Sequence, residues 1–132
     1  MYLLLLVSSI YISLIDIATH KIRNRALAFT GIGFAAVTVF ESREIYLVSA
    51  LIVFSIGFIT ICFGLGAGDV KLAALFALFF LPLEISRWSD FIEGFILGTV
   101  LLLIGHLISR RSLADPIALA PAICAAFIWC AR

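Results

Sequence analysis

The chain has 132 residues, 64% hydrophobic and 13% charged, with a net charge of +1 and a mean hydropathy of +1.25. A soluble globular domain carries about 25% charged residues, so this composition excludes one and points to a polytopic protein that buries its apolar surface in lipid. No basic patch is dense enough for nucleic acid, and three cysteines without a C-x-x-C pair suggest neither a disulfide framework nor a zinc site.

A transmembrane helix needs about 20 mostly apolar residues, and six candidates follow in chain order. The first runs from Met1 to Ala18. No basic region precedes it and no small-x-small cleavage site follows, so it reads as a retained helix rather than a signal peptide. Ser8, Ser9 and Ser13 within it read as small packing residues. A basic stretch with His20, Lys21, Arg23 and Arg25 leads to the second candidate, Ala26 to Phe40. The third, Ile45 to Leu65, is the clearest. The fourth, Val70 to Leu83, has an uninterrupted apolar stretch only from Leu72 to Leu81. To cross a bilayer it must draw Asp69 and Lys71 toward membrane depth or thin the bilayer locally. The fifth covers Phe91 to Ile108, with Gly98 on an ordinary helix face, and the sixth covers Ile117 to Ala131. Trp88 and Trp129 read as interfacial anchors. The expectation is an all-α fold: about six transmembrane helices in one compact bundle, a single domain over residues 1–132 without linker or repeat.

Loop charges predict the orientation. One side carries Lys21, Arg23, Arg25, Lys71, Arg110 and Arg111, and the other Arg43, Arg87 and Arg132. Glu41, Glu44, Glu84, Asp90 and Glu93 lie on the second side, with Asp16, Asp69 and Asp115 on the first. The positive-inside rule places the first side in the cytoplasm and both termini outside.

The tetrad Gly66-Ala67-Gly68-Asp69, followed by Val70-Lys71, stands between two apolar runs. An ionisable residue in a membrane segment is a functional hypothesis by default. Glycines beside it permit a tight turn and close approach of another chain. The plainer reading is a helix–helix turn with a capping aspartate. Asp16 ends the first helix on the same side. By itself it is an ordinary boundary acid; together the two are a carboxylate pair. Like charges held close do not both ionise, so such a pair holds one proton. The ionised member takes a proton from water, and the protonated member donates one to the scissile group. Lys71 either favours the ionised carboxylate or snorkels to the interface. Asn24 either bonds Asp16 or a substrate backbone, or caps the second helix. His20 and His106, each without a nearby acidic partner in sequence, make no metal site.

These residues resemble the type IV prepilin peptidases, the GxGD membrane aspartyl proteases. Gly66-Ala67-Gly68-Asp69-Val70-Lys71 matches that family's second motif throughout. Asp16 stands where its first motif has an aspartate, and Ile22-Arg23-Asn24 follows where Ile-Pro-Asn is usual, with arginine replacing proline. Pro121 agrees with a terminal segment that usually has two prolines and a glycine. The resemblance implies a membrane aspartyl endopeptidase with Asp16 and Asp69 catalytic, and Gly66, Gly68, Lys71 and Asn24 in support. It implies no metal or other cofactor, an inner-membrane location and an active site facing the cytoplasm. Its partners would be membrane lipid and type IV prepilin-like substrates with a basic leader and an apolar helix, with the oligomeric state left open. The chain is similar to short peptidase-only members of Flp or Tad pilus systems. It has no loop of paired C-x-x-C motifs, so methyltransferase activity is not expected. The alternative is a small transporter or channel subunit using paired intramembrane aspartates; a third reading is a pilus-assembly protein with a vestigial site.

Overall fold

In lipid every backbone polar group must be satisfied within its own segment, so long apolar runs become helices. The computed structural model describes residues 1–20, 22–62, 64–108 and 117–132. The six predicted helices are all present: α1 (Tyr2–Thr19), α2 (Asn24–Glu41), α3 (Leu47–Ile61), α4 (Ala67–Phe80), α5 (Ile85–Ile108) and α6 (Ala120–Cys130). The described residues contain no strand. Lys21, Arg110, Arg111 and Asp115, which entered the charge argument, lie outside them.

The chain runs up and down. At one end the Met1 amine pairs with Glu41 at 3.1 Å, and the Arg87 guanidinium donates to the Cys130 carbonyl at 2.8 Å. The opposite end gathers the end of α1 and the starts of α2, α4 and α6. There Lys71 donates to Asn24 and the Ala120 amide to Asp16.

The core forms around α4 and α6. Seven of the eleven residues of α6 are buried, including Ile123, Cys124 and Phe127, because α6 packs against α1, α4 and α5 together. Phe76 of α4 meets Phe34 edge-on at 5.7 Å and Phe127 at 5.5 Å. Large side chains elsewhere face outward, such as Leu3, Phe29, Ile96 and Leu101. A soluble protein rarely presents so continuous an apolar surface.

Small residues set the helix spacing. A Cβ added to Gly94 would lie 3.0 Å from the Ala126 Cα, and one added to Gly98 would lie 3.1 Å from the Ala122 Cα. Gly98 is therefore not on an ordinary face; it belongs to a small-residue seam that lets α5 and α6 approach backbone to backbone. Gly57 of α3 instead makes room for a side chain of α4: a Cβ there would fall 2.6 Å from Val70 Cγ1. The Gly98–Ala122 contact also fixes register. Counting rise per residue from it, α6 begins about 12 Å short of the end of α5.

Several boundaries differ from the predicted ones. α4 begins at Ala67, three residues before Val70, so Gly68 and Asp69 form its first turn. An acid there is stabilised by the helix N-terminus. The tight turn falls instead at Gly64, with φ +98°. α5 begins at Ile85, six residues before Phe91, and so contains Trp88 and Asp90. Trp88 packs against the core rather than serving only as an anchor. α6 begins later than Ile117 because Pro121 sits at its start, where the lost N–H has no intrahelical partner to lose.

Two helices, α1 and α5, are long and apolar enough to cross a membrane, and α3 and α6 are shorter apolar helices.

Candidate active site

The buried residues of α1 recur at helical spacing: Leu5, Ser8, Ser9, Ile12 and Asp16. That stripe turns toward α6 and carries Asp16 inward with it. The residue is only 4% exposed. A buried carboxylate needs hydrogen bonds, and Asp16 Oδ2 accepts one from the Ala120 amide at 3.1 Å. Ala120 is the first residue of α6, whose leading N–H groups have no partner inside the helix and whose N-terminus carries partial positive charge. The backbone of Asp16 is held as well. His20 closes α1 in a left-handed conformation (φ 50°, ψ 29°), and its N–H donates to the Asp16 carbonyl at 2.7 Å.

Asp69 is held by its own helix. Gly66 is the N-cap of α4 and Asp69 lies three residues on, the spacing at which an acidic side chain reaches back to the capping residue's amide. Its carboxylate folds over Gly66 and interacts with that backbone N–H. A Cβ on Gly66 would stand 2.8 Å from Asp69 Oδ2. Gly66 thus acts through close approach, with an ordinary extended backbone (φ −67°, ψ 133°). Asp69 is partly exposed.

The two carboxylates lie within reach of each other's charge. The Cys124 thiol of α6 lies within electrostatic reach of both and beside Ser9 and Ser13. Ser9 Oγ is buried without a hydrogen bond among the described residues, so its approach to Cys124 falls outside bonding geometry. Among the described residues, no three His, Cys, Asp or Glu side chains gather as a metal cage.

The supporting residues come together too. A Cβ on Gly68 would lie 3.1 Å from Ile22 Cβ, so the α1–α2 connector rests directly on the second glycine of the tetrad. Lys71 Nζ donates to Asn24 Oδ1 at 3.3 Å, linking the starts of α4 and α2. Two expectations change here. Arg23, not Asn24, is the N-cap of α2, and neither caps with its side chain. Lys71 makes no ion pair with Asp16 or Asp69 among the described residues; its partner is Asn24.

A cleft of about 340 Å³ leads away from Asp69. Val53, Gly57, Ala73, Phe91 and Phe95 line it, with Trp88 among its walls. It exists because no Cα of α3 comes within 8 Å of one in α5. α4 and α6 form its floor.

Sequence reasoning missed the Ala120 amide, the Gly68–Ile22 contact and the Cys124 thiol. A proline just inside a helix start was the available signal for the first. Contacts between segments 46 and 108 residues apart carry no local signal for the others.

The sequence pattern of the type IV leader peptidase family matches residues 3–130, and the chain belongs to that family. With it comes a membrane location, in keeping with the two spanning-length helices. No curated protein and no solved structure matches the chain.

Proposed function

We propose that this leader peptidase is an aspartyl endopeptidase that removes the leader of type IV prepilin-like proteins at the cytoplasmic membrane face. One observation carries the reading: Asp16 and Asp69 come from separate helices, reach each other's charge, and each rests against a helix N-terminus. Two carboxylates so placed hold one proton between them. The ionised one takes a proton from water as the water oxygen attacks the scissile carbonyl carbon. The protonated one donates to the departing amine nitrogen as the C–N bond breaks. Gly66 and Gly68 give Asp69 and the α1–α2 connector room, and the Lys71–Asn24 bond ties the rim.

The cleft suits the apolar segment that follows a leader. Its walls are apolar apart from Asp69 and Thr60, and Asp69 belongs to them. An ion or solute pathway would need a more polar lining, which favours the peptidase over the transporter reading. We also take all six helices as membrane spans, with both termini outside. In support, the sequence carries six basic residues on the carboxylate side, Lys21, Arg23, Arg25, Lys71, Arg110 and Arg111, against three on the other, Arg43, Arg87 and Arg132. α6, only 11 residues long, covers about 16 Å of a hydrocarbon core near 30 Å. Its start, and with it Asp16, then lies below the membrane surface. No C-x-x-C loop is present to support methylation.

The test is coexpression with candidate prepilins, followed by N-terminal sequencing of the product. A new N-terminus that requires both aspartates supports the reading. A new N-terminus that forms without them refutes the aspartyl mechanism, and no processing of any candidate refutes the substrate class.

A further inference from the structure

A second recess, of about 670 Å³, opens between α1 and α2. The proposed reaction makes no use of it. Its walls are apolar: Val7, Tyr11 and Ile15 from α1, Phe29 from α2. Val7, Tyr11 and Phe29 are all more than half exposed. Charge is confined to one end, where Arg23 and Arg25 line the mouth. Neither guanidinium has a hydrogen bond or ion pair among the described residues. Two of the hydroxyls that line it are already engaged, Ser8 with the Leu4 and Leu5 carbonyls and Thr19 with that of Ile15.

The apolar walls of the recess and the cations at its mouth together select its occupant. From Leu4 to Thr19, both of which line it, α1 rises about 22 Å. An apolar groove with two cations at one end, unpaired among the described residues, complements a lipid with an anionic head. A basic leader peptide would be repelled there. A second copy of the chain, packed by a two-fold axis, would bring four guanidiniums together.

We propose that this groove binds one anionic phospholipid, with an acyl chain along Val7, Tyr11, Ile15 and Phe29 and the phosphate between Arg23 and Arg25. The proposal stands apart from the peptidase reading. It has a structural consequence, because the lipid braces α1 against α2 on either side of the connector whose Ile22 rests on Gly68.

Native mass spectrometry of the purified full chain, titrated with dioleoyl phosphatidylglycerol or dioleoyl phosphatidylcholine, tests it. One copy of the anionic lipid should bind about thirtyfold more tightly, as expected when two basic residues each act on an anionic headgroup. The Arg23→Gln/Arg25→Gln pair should erase the preference. Arg23→Lys/Arg25→Lys should keep most of it, and Arg87→Gln at the far end should leave it unchanged. Excess inorganic phosphate should not displace the lipid. Equal binding of the two lipids, or a preference that survives the glutamine pair, overturns the proposal. Displacement by phosphate alone makes this a simple anion site and overturns it as well.

Discussion

Asp16 and Asp69 lie within reach of each other's charge but are held in opposite ways. Asp69 belongs to the helix that holds it: Gly66 caps α4, and the carboxylate returns to the Gly66 amide three residues away. Asp16 belongs to α1 but takes its hydrogen bond from α6, 104 residues along the chain. One arm of the site is built by local chemistry and the other by the packing of the bundle. The first should tolerate changes elsewhere that the second does not.

The largest effect should come from removing either proton carrier. Asp16→Asn and Asp69→Asn should each lower cleavage of a synthetic prepilin by at least about 10²-fold, at matched membrane levels. The double variant should be little worse than either single, since groups acting as one unit lose function together. Substantial cleavage by either single variant would end the dyad mechanism, whatever the geometry.

Next come the glycines. Gly66→Ala places a methyl 2.8 Å from Asp69 Oδ2, and Gly68→Val drives into Ile22. Displacing a reacting group by an ångström costs about 10²-fold, so both variants should insert normally and cleave poorly. Near-normal rates in both would show that the tetrad places nothing.

A glutamate at each position probes the comparison directly. Asp16 is buried, so an added methylene overpacks its site at a cost of about 1–3 kcal/mol. Asp69 is partly exposed and has room to adjust. Asp16→Glu should therefore lose more activity than Asp69→Glu. Equal losses, measured as kcat/KM ratios on one substrate, would mean the two arms are held alike.

The packing arm has its own test. Gly98→Ala pushes a methyl toward the Ala122 backbone and should lower thermal stability by about 1–3 kcal/mol. Gly105→Ala meets no atom within 4 Å and should change stability little. Indistinguishable melting of the two in detergent would remove the α5–α6 seam from the account. The smallest effect belongs to the rim. Asn24→Ala and Lys71→Ala each break one exposed hydrogen bond, so a few-fold change at most is expected. A double-mutant cycle should return a coupling below about 1 kcal/mol.

Much of this was legible in the residues, and the reason is locality. Six apolar runs became six helices because a helix satisfies its backbone hydrogen bonds within its own segment. The tetrad was legible because Gly66, Gly68 and Asp69 act within one helical turn. How those glycines act was not. The left-handed turn is at Gly64, and the tetrad works by close approach to a carboxylate and to a distant connector.

The apolar runs and the motif thus determined which segments become helices and which two carboxylates invite attention. Only the tertiary structure decided that Ala120 holds Asp16, that Ile22 rests on Gly68, and that Gly98 packs against Ala122. It also decided that α3 and α5 stay apart to leave a cleft beside Asp69. Helix formation in lipid is settled by each segment's own backbone hydrogen bonds. Which small residue meets which neighbour is settled by packing between segments far apart in the chain, and no local pattern encodes that.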